Sequence, residues 1–181
     1  MTSGHLDTSE LVILLQQSAV EHLTTCRQLL AQKYCSVLTA VTTDYEALYA
    51  YKCGEYQRCL QLSTDNVRTL ISGDLSLSSV YAFPEFIQLM DDDIVSLIGL
   101  MYIVNPRFTI HLFVLQLSLS LYLMTQCQFK LRHSVTSLAQ TLDCIEVTRQ
   151  KLGCQLKTLD QLLLKLTEQK IRTYITTMNS D

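Results

Sequence analysis

Residues 111–123 read HLFVLQLSLSLYL, and from Leu115 to Leu123 every second residue is leucine. Alternation with period two is the pattern of a strand with one face in water. The same stretch lies in an uncharged run from Phe108 to Phe129, which also raises a membrane span. A third reading is a helix buried on nearly every side. Wound at 3.6 residues per turn, Leu112, Leu115, Leu119, Tyr122 and Leu123 share one face, and Phe113, Leu117, Leu121 and Met124 another. His111, Ser118 and Thr125 then form a narrow polar line, with Gln116 and Ser120 opposite. Leucine is a better helix former than strand former, and no hairpin turn or alternating partner flanks the stretch. The LSLSS of residues 75–79 is its one echo. The spacing therefore predicts a central buried helix.

The surrounding sequence supports helices. Of 181 residues, 48% are hydrophobic and 17% charged, against about 25% charged in typical soluble chains. Only 5 glycines and 2 prolines are present, too few for the turns that a sheet-rich fold needs. Asp7, Thr8 and Ser9 precede a stripe at Val12, Leu15, Ala19, Leu23, Cys26 and Leu30. Further helices are expected over 34–53, 55–71, 85–90 and from Asp91, whose run Asp91-Asp92-Asp93 suits a helix N-terminus. Asn105-Pro106 should break that helix, and residues 72–84 form the longest expected loop. Apolar spacing predicts two more helices, from Ser134 to Leu152 and from Leu156 toward Met178. The expectation is an all-α chain of about seven helices in antiparallel hairpins, a single domain over 1–181 or a piece of a longer helical array. Leu164, Ile171, Ile175 and Met178 on the last helix suggest self-association.

A membrane hairpin over residues 94–124 is the competing architecture. Its two apolar segments are short, the second is interrupted by His111, Gln116, Ser118 and Ser120, and Arg107 lies between them. These features argue against membrane insertion. A net charge of −3 supplies no basic field for nucleic acid. Seven cysteines, an odd number without a CxxC pair, and an N-terminus without a basic and apolar leader point to reduced thiols in the cytoplasm.

The most informative motif is DYEALYAYKCGEYQRCLQL, residues 44–62. It resembles the tetratricopeptide repeat, a helix-turn-helix unit of 34 residues. The turn pattern G-x-Y-x-x-A is similar to Gly54, Tyr56 and Cys59, with Ala47 in the small slot of the first helix. The chain departs from the pattern at Thr43, Glu46 and Ala50, at Ser63 and Asn66, and at Ile71, which stands where the closing proline is usual. Leu121-Tyr122 and Phe129 echo Leu48-Tyr49 and Tyr56 at an offset of 73. The resemblance implies a tetratricopeptide-like solenoid or bundle whose first helices line a concave surface. On that basis Asp44, Tyr45, Leu48, Tyr51 and Lys52 are expected on the exposed, partner-binding face.

Catalytic signatures such as GxGxxG, GxxxxGK[ST], HExxH and GxSxG are lacking. His22 and Cys26, four apart, are half a zinc site at most, and the triple aspartate lacks a second acidic or histidine cluster. No catalytic residue, metal or cofactor is expected. The reading is a non-enzymatic scaffold module that binds a peptide or helix of another protein, with a helical enzyme of unknown class as the remaining alternative.

Overall fold

The leucine-alternating stretch divides between two of its readings. In the computed structural model, Phe113–Leu115 is a strand, β2, and Gln116–Lys130 is a helix. β2 pairs antiparallel with β1, Ser79–Tyr81, with Ser79 opposite Leu115 and Tyr81 opposite Phe113. The strand partner thus lies at the end of the LSLSS echo, inside the segment expected as a loop. The described pairing covers Phe113–Leu115, and Gln116 begins the helix. From there the backbone N–H and C=O groups find partners within a helix, which leucine favours.

The structure describes residues 37–72, 79–81, 91–104, 113–153, 156 and 158–178, with positions 10, 13, 14, 17, 18 and 21. Apart from the short β pair, the regular elements among them are six helices: α1 Val37–Lys52, α2 Tyr56–Ser72, α3 Asp92–Val104, α4 Gln116–Lys130, α5 Val135–Leu152 and α6 Thr158–Met178. The separate positions between 10 and 21 are helical as well, in the region expected to open the chain. The expected helix over 85–90 lies outside the described residues. The chain is all-α in class.

α4 is the axis of the packing. Gln116 through Gln128, thirteen consecutive residues, are all buried. α2 lies along α4 most extensively, and α1, α5 and α6 also pack on it. A helix covered all round cannot be held in rotation by an apolar stripe alone. Its polar side chains do that work by pairing outward. Ser120 donates to Asp44 of α1 at 2.7 Å. Tyr122 donates to Asp93 of α3 at 2.9 Å. Gln128 donates to Ser137 of α5 at 3.1 Å and accepts from Thr141 at 3.0 Å.

Local sequence sets the ends of these helices. Gly54, at φ +78°, closes α1: its N–H donates to Tyr51 O and that of Glu55 to Ala50 O, the paired bonds of a Schellman cap. Arg132, at φ 53°, makes the same cap after α4, where the N–H groups of Arg132 and His133 donate to Phe129 O and Gln128 O. Asp91 opens α3 as expected, with Asp93 N–H directed at its Oδ1 at 3.4 Å. α3 is described to Val104, and the break expected at Asn105-Pro106 lies outside the described residues. Ser134 caps α5, accepting from Ser137 N–H at 3.3 Å. The offset-73 echo has no structural counterpart, since Tyr56 begins α2 while Phe129 lies in the last turn of α4.

Candidate functional site

α1 and α2 do form a closely packed helical hairpin, with Ala47 and Cys59 fully buried between helices. The exposed face expected on α1 is another matter. Asp44 and Leu48 are fully buried and Tyr45 is 2% exposed. The cause is α4, which packs on α1 and places Ser120 against Asp44. A solenoid leaves that face open, whereas a central helix fills it. Tyr51 is half-buried, stacked edge-on to Tyr56 at 5.6 Å, and its hydroxyl donates to Asp91, just before α3, at 3.2 Å. Lys52 alone of the five is exposed. The expected site residues are therefore brought together, but chiefly as core.

The C-terminal stripe is also used internally. Leu164 and Ile171 are fully buried, Ile175 packs against the core, and Met178 is exposed. α3 lies mainly on α6 and not as a hairpin with α4. No described helix is long and apolar enough to cross a membrane. At ~1.5 Å per residue, α3 spans about 20 Å of the ~30 Å of a bilayer core.

A recess lies between α2 and α5, above α4. Both helices pack on α4, and the groove between them encloses about 490 Å³. Leu60, Val67 and Ile71 of α2 and Met124 of α4 give it an apolar floor. Arg68, His133 and Gln140 stand at the rim, and no carboxylate lines it. Arg68 reaches Asp65 at 3.4 Å, an exposed pair that leaves the guanidinium free to exchange partners. At the far end Lys151 donates to Ile71 O at 2.7 Å and ties α5 to the end of α2. Cys144, on the α5 wall, is held protonated: burial, helped by the charge of Asp143, pushes its thiol up. A thiol raised in this way is a poor nucleophile. Nothing in the sequence signals this groove, because its walls come from α2 and α5, which are joined through neither a motif nor adjacency.

Two polar clusters join helices elsewhere. The first is the start of α3, where Asp93 accepts from Tyr122 and pairs with Lys170 of α6 at 2.5 Å. Lys170 holds the Asp93 carboxyl below its usual range, while burial and the charges of Asp91 and Asp93 push the Tyr122 hydroxyl up. These aspartates act as a clamp between helices. Among the described residues no group of three His, Cys, Asp or Glu side chains could hold a metal. The second cluster surrounds Asp44. Its Oδ1 accepts from Asn66 Nδ2 at 2.8 Å and Ser120 Oγ at 2.7 Å. Burial pushes this carboxyl up to about 7, against the opposing pull of Ser120, Asn66 and Gln116.

No protein-family model, curated protein or solved structure matches the chain.

Proposed function

We propose that the chain is a non-enzymatic interaction module that holds an amphipathic segment of another protein in the groove between α2 and α5. The observation that carries this reading is the groove itself: about 490 Å³, apolar at the floor, with Arg68 and His133 and no carboxylate among its lining residues. That chemistry suits a helix or extended peptide with two or three apolar anchors and an acidic flank. Anchors on Leu60, Val67, Ile71 and Met124 supply burial, and Arg68 orients the acidic flank. The tetratricopeptide resemblance of residues 44–62 supports a helical-hairpin scaffold of this kind. The partner-binding role proposed here falls on a different surface from the one that the resemblance implies, with Tyr51 and Lys52 outside the groove. Free thiols at Cys53, Cys59, Cys127 and Cys144 support a reduced, cytoplasmic setting.

The test is capture of partners by the wild type, then measurement of the captured segment's affinity by fluorescence anisotropy. Arg68→Glu and a groove-filling Thr64→Trp are compared once circular dichroism shows that they fold. A loss of about tenfold or more for each is expected. Equal affinities for all three proteins would remove the groove from the function.

A further inference from the structure

The Asp44 cluster has a property that packing does not explain. Asp44 is fully buried where α1, α2 and α4 meet, and Oδ1 takes both of its hydrogen bonds. Among the described residues Oδ2 has no partner. Gln116, the first residue of α4, is equally buried, and neither its Nε2 nor its Oε1 has a partner within hydrogen-bonding geometry. The amide lies close enough to Asp44 to act on its ionisation: with Nε2 toward the carboxyl it pulls the value down, and a half-turn brings Oε1 there instead. Two orphaned groups therefore sit side by side in the core, each lacking what the other can supply. The titratable groups around Asp44 offer no counter-charge. From α2 it faces the Cys59 thiol, which shares a hydrogen bond with the Cys127 thiol of α4. No Lys, Arg or His among the described residues approaches it.

An isolated carboxylate in such a place carries a large desolvation cost, which protonation removes. A neutral acid also changes the hydrogen-bond inventory, since the protonated oxygen becomes a donor. We propose that Asp44 is a buried proton-binding site: Oδ2 carries the proton and donates it to Gln116 Oε1, joining α1, α2 and α4, and the junction loosens when the proton leaves to solvent. The ionised form leaves a charge between three helices that the two donors on Oδ1 and the Gln116 amide, turned to present Nε2, offset only in part. The site thus reads pH through the helix contacts that build the core. It stands independently of the groove.

The test is a titration of the folded chain labelled with carboxyl-¹³C aspartate, from about pH 4 to about pH 9. One resonance, absent from Asp44→Asn, should titrate with a midpoint near neutrality while the exposed aspartates titrate at ordinary acidic values. A midpoint at or below the ordinary range would overturn the proposal. Should Asp44→Asn fail to fold, Gln116→Leu identifies the resonance instead, and its direction is decisive. A fall in midpoint follows if Gln116 accepts the proton; a rise shows that it donates to a carboxylate and refutes the assignment. Amide exchange then reads the junction. Above neutrality, α1 and α4 should exchange about tenfold faster in the wild type than in Asp44→Asn at the same pH, and equal rates would count against loosening.

Discussion

Gly54 and Arg132 occupy the same left-handed position in two similar caps, and only one of them is a residue suited to it. An L side chain there costs about 1–2 kcal/mol, offset in part by the greater freedom of glycine in the unfolded chain. A Cβ at Gly54 would meet nothing within 4 Å, so Gly54→Ala should cost about 1 kcal/mol through backbone strain alone. Arg132→Gly should raise stability by about 0.5–1 kcal/mol. Urea denaturation of the two variants checks both signs, and a destabilised Arg132→Gly would show that the arginine side chain contributes more than its backbone costs. Gly54 was legible in the sequence as a helix stop, because glycine past a periodic segment has a known cause. Arg132 was not, since nothing in an arginine announces φ of 53°. Tyr45 was misread for a related reason. A tyrosine on a helix suits an interface and a core alike, and burial at 2% exposure decides it here. Tyr45→Ala should therefore cost about 3–5 kcal/mol of stability, as a core aromatic does, measurable by the same denaturation.

At the scale of elements, the helices read correctly where apolar residues recur at steps of three and four and a cap marks the end. α5 is the clearest case, with Ser134 before it and Gly153 after it. α4 was legible for another reason: apolar residues on every side require cover on every side. Its first turn shows the limit of period reading, because alternation continues to Leu123 while strand pairing ends at Leu115. What ends the strand is set by the rest of the fold, since the leucine period is unchanged from Leu115 into the helix that begins at Gln116. The groove was illegible on the same ground, being built from the spacing of two helices around a third. Two substitutions in α4 separate its roles. Leu119→Ala opens a cavity in the fully buried core and should cost about 2–5 kcal/mol. Tyr122→Phe keeps the ring but removes the donor to Asp93, which retains Lys170, and should cost about 1–2 kcal/mol. Thermal melts rank the two, and a larger loss for Tyr122→Phe would make the clamp at α3, not the apolar packing, the main determinant of the position of α4.

The whole molecule combines buried groups whose ionisation opposes folding with exposed groups whose ionisation favours it, and the balance predicts the shape of its stability against pH. Asp44 is raised from 3.8 to about 7 in the fold, so the native state holds a proton that the unfolded chain has lost. Its stabilising effect is complete below 3.8 and disappears as pH rises to about 7. Across that window stability should fall by up to ~1.4 kcal/mol per pH unit. Asp93 and Glu168 run the other way. Lys170 lowers the first, and Arg149 followed by Arg172 lowers the second. Their contribution is present above the ordinary carboxylate values and is lost as pH falls below them. Both are partly exposed pairs, so water and salt reduce this acid limb to a small effect. The sum is a dome displaced to the acid side, highest between about pH 4 and pH 5 and declining toward neutrality. Thermal melts at constant ionic strength should show this shape for the wild type. Asp44→Asn should flatten the neutral limb and leave the acid limb, whereas Lys170→Met should weaken the acid limb alone. A wild-type profile that rises from pH 5 to pH 7 would mean that the carboxylate of Asp44 is stabilised in place, and the charge at the junction of α1, α2 and α4 would then need a compensating cation.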